Sequence, residues 1–168
     1  SPGLLSRDLH ESGMQHCSPF ALSAEARTVA IYTHEAVQQI TSSFVLYGTK
    51  SAAISELWSA FEECNFSGWD GYDAEPVDGW AVKTAVRFVQ VLPPGIPKPE
   101  VTPESDGSIA LDWSVSRHQI LSVSFGTGMD LAYAWLDGNE RGRGVVRFDG
   151  ENVPRRINKE LRSMLNIA

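Results

Sequence analysis

The sequence has little cysteine, and the cysteines present form no recognised motif. Cys17 and Cys64 are the 2 cysteines among 168 residues, and their wide separation predicts reduced thiols rather than a disulfide framework. The sequence also shows no basic-then-apolar leader, so we expect a cytoplasmic protein. Cys64 continues an apolar helical stripe, which predicts a small buried side chain with an unreactive thiol.

Long apolar runs and an excess of positive charge are also missing. No run approaches the ~18 apolar residues that cross a bilayer, so no membrane contact is expected. The 14 Lys and Arg residues are outnumbered by 21 Asp and Glu residues, for a formal net charge of −7. This balance argues against nucleic acid as a partner, because phosphate contacts depend on Lys and Arg. Local basic clusters are interpreted as solvated surface and favourable cations late in a C-terminal helix. They comprise Arg141, Arg143, Arg147, Arg155, Arg156, Lys159 and Arg162.

Motifs for metal binding and catalysis are missing as well. There is no C-x-x-C, no H-E-x-x-H and no G-x-S-x-G sequence, and Gly126-Thr127-Gly128 is too short for a phosphate-binding loop. His10, His16 and Cys17 could supply three ligands, but we interpret them as chance neighbours in an N-terminal arm. We therefore predict no metal site and no cofactor, and no catalytic residue is assigned.

The sequence does contain enough apolar material for one domain. Hydrophobic residues make up 42% of the chain and charged residues 21%, which is typical of a soluble globular protein. Residues 1–22 are punctuated by Pro and Gly and predict a flexible or loosely docked arm. Residues 23–168 are predicted to form a single α+β domain.

Apolar residues at three- and four-residue steps predict helices in the first half of the chain. A first helix is expected to stop at Gly48. Ser51 is the expected N-cap of a second helix, and Asp78 is the expected N-cap of a third that runs to about Val91. The Pro-rich residues 92–99 then predict a stiff link to a sheet. The second helix has the clearest apolar stripe, formed by Ile54, Leu57, Trp58, Phe61 and Cys64.

Beyond Pro99 the apolar period changes to two, which is typical of strands with one buried face. Turn-forming residues separate the alternating segments and predict a four-stranded antiparallel meander whose apolar face needs helices to cover it. Residues 141–144 are interpreted as a hairpin end. The predicted strands are centred on Leu111, on Val123, on Tyr133 and on residues 145–148.

A final helix is expected after the sheet. Pro154 suits its first turn, and Asn152 or Asp149 is its expected N-cap. Its apolar stripe consists of Val153, Ile157, Leu161, Met164 and Leu165. The predicted fold is therefore α+β, with N-terminal helices, a four-stranded antiparallel meander sheet and a C-terminal helix.

The most distinctive segment is the loop at residues 69–76. It packs aromatic and acidic side chains beside one Gly and one Pro within eight residues. Functional residues concentrate on loops, so this loop is the predicted partner-binding site. The candidate residues are Trp69, Asp70, Tyr72, Asp73 and Glu75.

The side chains of this loop admit structural and functional roles. The carboxylates of Asp70, Asp73 and Glu75 favour local capping of backbone N–H groups over a cation site. Trp69 and Tyr72 could seal the edge of the core, with their polar ring atoms bonded to the backbone. They could instead be exposed anchors for a protein partner. The two roles are compatible on different faces of one loop, and both stay open at this point.

The same loop carries a resemblance. Asn65 through Pro76 resembles a W-D-G-Y-x-A-x-P signature in a group of small bacterial proteins that often accompany mobile elements, and the resemblance covers about residues 60–150. No activity is assigned to that group, so the resemblance implies a bacterial, defence-associated class and no mechanism. Asp73 stands where the signature favours a small residue such as Gly, and Asp tolerates a positive φ better than most residues.

Three functions are compatible with these observations. The preferred hypothesis is a non-enzymatic protein that binds a protein partner, possibly a basic one, in an antitoxin-, immunity- or phage-defence-accessory role. An alternative is a small hydrolase that uses the loop carboxylates with His118. A further alternative is a self-assembling structural subunit, which makes a homo-oligomer possible.

Overall fold

The computed structural model describes the backbone of residues 24–167, and in this range it describes the side chains of residues 35–39 and 47–167. The chain divides into two compact units, Ser1–Ile40 and Thr41–Ala168. The arm predicted at residues 1–22 lies outside the described residues, as do His10, His16 and Cys17. The predicted domain limits therefore stay predictions.

The described helices are α1 at Ala24–Cys64, α2 at Gly79–Val91 and α3 at Arg155–Leu165. The predicted stop at Gly48 and the predicted N-cap at Ser51 are both wrong, because α1 continues through both residues as one helix. Glycine ends a helix by adopting a left-handed conformation, and Gly48 is not among the glycines with a positive φ. A helical Gly costs only about 1 kcal/mol relative to Ala, which helix-favouring neighbours can offset.

The α2 prediction is confirmed in both its limits and its cap. Asp78 Oδ1 accepts hydrogen bonds from the backbone N–H groups of Trp80 at 2.7 Å and Ala81 at 3.3 Å. The N-cap predicted for α3 is wrong, since Pro154 occupies that position and makes no side-chain cap. Asp149 Oδ1 instead accepts from the N–H groups of Glu151 and Asn152, both at 2.8 Å, and shapes the turn before the helix.

The sheet is an antiparallel meander, as predicted, but it has five strands in the order β1-β2-β3-β4-β5 rather than four. The missed strand is β1, which pairs with β2 although Pro103 is part of it. Proline cannot donate to a ladder but is tolerated on an edge strand, so its presence did not prevent pairing. The strands are β1 at Glu100–Pro103, β2 at Ile109–Ser116, β3 at Gln119–Phe125, β4 at Asp130–Asp137 and β5 at Glu140–Arg147.

The start of the last strand also differs from the prediction. Asp137 pairs directly with Glu140, so the turn is only two residues long and residues 141–144 lie inside β5. Gly142 and Gly144 suggested a turn, but each lies beneath a ring from β4. A Cβ on Gly142 would lie 2.7 Å from the Trp135 ring, and one on Gly144 would lie 2.8 Å from the Tyr133 hydroxyl.

The core lies between one face of the sheet and the helices. Phe88 of α2 packs edge-to-face on Phe125 of β3 and on Phe148 just after β5, with ring centroids 5.3 and 5.5 Å apart. The Pro-rich link also packs on this core through the buried side chains of Leu92 and Ile96. Trp113 Nε1 attaches it further by donating to the Pro97 carbonyl at 2.9 Å. The α3 stripe is confirmed, with fully or mostly buried Ile157, Leu161 and Met164 and partly buried Val153 and Leu165.

Candidate functional site

The loop at residues 69–76 is held by backbone hydrogen bonds at both of its ends. Just before the loop, the Gly68 N–H donates to the Ala74 carbonyl at 2.8 Å. At its end, the Val77 N–H donates to the Cys64 carbonyl at 2.9 Å, which joins the loop to the end of α1. Ala74 and Val77 are buried. The loop is therefore a docked element rather than a free connection.

The same segment is attached to the turn between β1 and β2. The Glu75 N–H donates to the Ser105 carbonyl at 2.8 Å, and the Asp78 N–H donates to the Gly107 carbonyl at 2.9 Å. Gly107 has a φ of +84°, and a Cβ there would lie 2.8 Å from the Pro76 carbonyl oxygen. Only glycine fits this close approach. The loop is thus a fixed corner between the helical part of the unit and its sheet.

The three candidate carboxylates do not share one role. Asp70 Oδ1 accepts from the backbone N–H groups of Tyr72 at 2.9 Å and Ala74 at 3.3 Å, which is the predicted local capping. Asp73 and Glu75 are exposed. Among the side chains of residues 35–39 and 47–167, no group of three or more His, Cys, Asp or Glu residues is arranged to hold a metal ion. Asp70 thus shapes the loop, and the other two carboxylates face solvent.

The two candidate aromatic residues differ in burial. Trp69 is partly buried against the core, and its Nε1 donates to the Glu75 carbonyl at 2.9 Å. Tyr72 is 85% exposed at the tip of the loop. Trp69 therefore seals the corner, and Tyr72 is presented to solvent.

The structure adds aromatic residues that the sequence analysis did not assign to the site. Trp58, predicted on the buried stripe of its helix, lies at the rim of that stripe and is 38% exposed, whereas Phe66 and Trp80 are 54% and 53% exposed. Trp58 meets Phe61 edge-to-face at 6.2 Å. Phe61 lines an open groove of about 800 Å³ with Asn65 and residues 75–79. We call Trp58, Phe61, Phe66, Tyr72 and Trp80, with the carboxylates around them, the aromatic-acidic surface.

The charge of this region explains the charge of the whole chain. Residues 51–82 contain no Lys, Arg or His and seven carboxylates, and the rest of the chain has equal numbers of acidic and basic residues. The charge of this segment thus equals the net charge of −7 of the whole chain, although one of its carboxylates, that of Glu56, is paired with Lys98. The carboxylates are Glu56, Glu62, Glu63, Asp70, Asp73, Glu75 and Asp78. This gap in basic residues is visible in the sequence and could have extended the predicted site beyond the loop.

His118 does not join the loop carboxylates. The loop docks on the turn before β2, and His118 follows β2 in the next turn, where its carbonyl accepts from the Gly138 N–H at 2.8 Å. Eight residues of β2 separate the two turns, a span of about 25 Å. His118 is exposed at that far end of the strand. The residues proposed for hydrolysis are therefore not brought together.

Cys64 is buried at the end of α1, as predicted. Burial raises the pKa of its thiol, and the neighbouring Glu63 carboxylate raises that pKa further. Both effects disfavour the nucleophilic thiolate. Cys64 thus acts as core material beneath the corner.

The turn that receives the loop has a carboxylate of its own. Asp106 Oδ1 accepts from the Ser108 hydroxyl and, at 3.0 Å, from the Ser108 N–H. These bonds, the hydroxyl first, lower the pKa of Asp106, and burial opposes them. The charged form is therefore favoured in the folded protein.

This shift predicts a pH-dependent contribution of Asp106 to stability. A lowered folded-state pKa stabilises the fold above the unfolded value near pH 4, and the contribution is lost as the pH falls through the folded value. At pH 6 the urea midpoint of the wild type should be higher than that of Asp106→Asn, and this difference should shrink as the pH falls below about 4. Asp73→Asn is the control for general charge. A difference that stays constant across this range would contradict the prediction.

Comparisons of the chain with protein-family models, with curated proteins and with solved structures find no match. The resemblance to the W-D-G-Y-x-A-x-P group therefore stays a prediction. Among residues 24–167, none of the helices is long and apolar enough to span a bilayer.

Proposed function

We propose that this chain is a non-enzymatic binding protein that recognises a basic surface of a protein partner through its aromatic-acidic surface. The observation that carries the proposal is a coincidence of three properties in one docked region. Four exposed large aromatic side chains, seven carboxylates without any basic residue and a hydrogen-bonded corner all lie between residues 51 and 82, although the exposed Tyr47 lies just before this segment. In finer terms, we propose a bacterial cytoplasmic protein with an antitoxin-, immunity- or phage-defence-accessory role.

The exposed aromatics supply the expected binding energy. Trp and Tyr are the residue types most enriched among those that dominate interface energetics. Tyr72, Phe66 and Trp80 are each more than half exposed, so they contribute little to the core of the free chain. Burying them against a partner would gain the hydrophobic energy that folding leaves unused.

The carboxylates are expected to steer a partner toward the surface and to raise its association rate more than they raise the affinity. Like-charged groups on one surface steer an oppositely charged partner and raise its association rate. Capping uses Asp70 and Asp78 but leaves their negative charge in place. Because the loop is held at the ends of α1 and at the β1–β2 turn, little ordering free energy is required when a partner binds.

The alternative functions have less support. The hydrolase hypothesis needs His118 beside the loop carboxylates, and β2 separates them. Self-assembly through the long edge strand β5 would place its arginines next to those of a second copy, which is unfavourable for like charges. Protein binding is therefore the function that the site supports best.

The test is capture of partners from the native host by the full chain, followed by calorimetry with the purified partner. The Tyr72→Ala/Trp80→Ala double variant should weaken binding by about 30-fold or more, because each anchor removes at least about 1 kcal/mol. Val115→Ala is the matched control, since Val115 is 54% exposed but lies on β2, outside the aromatic-acidic surface. Affinity should fall as salt rises. A chain that elutes alone, or a partner held equally by wild type and the double variant, would refute the proposal.

A further inference from the structure

The strand β5 leaves one long edge of the sheet open. It is the last strand in the sheet order, is eight residues long, and pairs with β4 on one side only among the strands of residues 24–167. Such an edge presents unpaired N–H and C=O groups to solvent. The opposite edge is different, because β1 has only four residues and includes Pro103. β5 is therefore the edge that offers a full ladder to another strand.

Arginines alternate along the face of β5 that points away from the helices. Arg141, Arg143 and Arg147 occupy this face, with the 69% exposed Val145 between the last two. Arg147 Nη1 lies 3.8 Å from Asp130 Oδ1, and both side chains are well exposed. Among the described side chains, those of residues 35–39 and 47–167, no carboxylate lies at ion-pair distance from Arg141 or Arg143. Two neighbouring guanidinium groups, about 7 Å apart at their Cα atoms, are thus available to a ligand.

The surface beside these arginines is open and concave. Arg141 and Arg143 form one side of a cavity of about 710 Å³ on the outer face of the sheet. The cavity is also lined by the small residues Ser122 and Ala134 and by the bulkier Ile120, Trp135 and Leu136. Because the cavity is open, acidic side chains can approach the guanidinium groups from above the sheet.

The opposite face of β5 carries an apolar shelf. Gly142 and Gly144 have no side chains, and the rings of Trp135 and Tyr133 lie over their Cα atoms. Trp135 is only partly buried. An apolar side chain of an added strand would therefore meet an aromatic ring reaching toward it from β4.

We propose that β5 is a strand-addition site for an extended acidic segment of another protein. The added strand would place carboxylates beside Arg141 and Arg143, and apolar side chains at alternate positions beside Trp135. Main-chain hydrogen bonds provide the affinity in this mode, and alternate side chains provide the specificity. A second copy of this chain is the wrong occupant of this edge, because its own β5 would oppose arginine to arginine.

This site differs from the aromatic-acidic surface in both place and charge. One surface is acidic and built by residues 51–82, and the other is basic and built by β5. The proposal does not depend on the proposed function. The two can be tested with separate variants of the same chain.

The probe is a fluorescein-labelled acetyl-(Glu-Val)₄-amide peptide, titrated with the full chain by fluorescence anisotropy. We expect saturable binding that the Arg141→Glu/Arg143→Glu variant weakens by about tenfold or more. The matched control is Arg155→Glu/Arg156→Glu on α3, which should change binding less than about twofold. Near-ultraviolet circular dichroism confirms that each variant is folded.

Two further probes separate strand addition from charge attraction alone. A peptide N-methylated at every second residue keeps its charge but loses the donors of one edge, so its affinity should fall by about tenfold. A (Lys-Val)₄ peptide should not bind. Absence of binding at about 1 mM (Glu-Val)₄ would overturn the proposal, as would equal affinity for the N-methylated probe. Tighter binding of an oligothymidylate to the same arginines would also overturn it.

Discussion

Replacement of Gly107 by alanine is expected to destabilise the protein by about 3 kcal/mol, since two costs combine at this position. Its φ of +84° is a conformation that residues with a side chain adopt only under strain, and the new Cβ would lie 2.8 Å from the Pro76 carbonyl oxygen. That oxygen belongs to the backbone of the docked loop, so it cannot move without disturbing the bonds of Glu75 and Asp78 to the turn.

Denaturant unfolding at pH 7 measures this effect, and Gly95→Ala separates its two parts. Gly95 has a φ of +88° but open space around its Cβ position, so its variant reports backbone strain alone, about 1 kcal/mol. Gly126→Ala, with neither strain nor contact, should be close to neutral. Equal losses for Gly107→Ala and Gly95→Ala would show that the loop yields at Pro76 and that the corner is not rigid.

Replacement of Phe88 by alanine is expected to cost about 3–5 kcal/mol, which is typical of truncating a buried aromatic residue. The Phe88 ring is fully buried and contacts Phe125 and Phe148. Those residues belong to β3 and to the chain after β5, so the cavity would weaken the packing of α2 on the whole sheet. Thermal or denaturant unfolding would measure the loss, and Phe88→Leu should recover much of it because less volume is removed.

Trp80→Ala on the same helix is the matched control and also bears on function. Trp80 is 53% exposed, so its removal should change stability by less than about 0.5 kcal/mol. A large aromatic residue that is nearly neutral for stability but needed for partner binding would support the aromatic-acidic surface. A loss comparable to that of Phe88→Ala would instead make Trp80 a structural residue and remove one of the observations behind the proposed function.

Apolar periodicity and capping residues correctly predicted the helices and strands that depend mainly on neighbouring residues in the sequence. Asp78 satisfies the first N–H groups of α2 from within the adjoining sequence, and the alternation around Val123 follows from one buried face. The errors arose where local signals conflict with pairing. No strand is predicted at residues 100–103, and residues 141–144 are interpreted as a hairpin end, yet neighbouring strands pair with both segments.

The candidate site shows the same division. The density of aromatic and acidic residues at 69–76 is a property of the sequence, and the partner-binding role predicted from it stays a prediction. Which aromatic side chain packs on the core and which is exposed to solvent depends on how the loop packs against the rest of the unit. Trp69 bonds within the loop and packs on the core, whereas Tyr72 projects from it. The exposed Trp58 was assigned to a buried stripe, because periodicity does not indicate where a stripe ends.

Patterns among neighbouring residues were thus sufficient to predict the α+β class, the helix after residue 78 and the alternating strands. The excess of carboxylates is likewise visible in the sequence alone. Long-range packing decided the fifth strand, the rings over the β5 glycines, the approach of Pro76 to Gly107 and the distance between His118 and the loop. The reason is physical: burial and hydrogen bonding between distant segments can outweigh a local preference of about 1 kcal/mol.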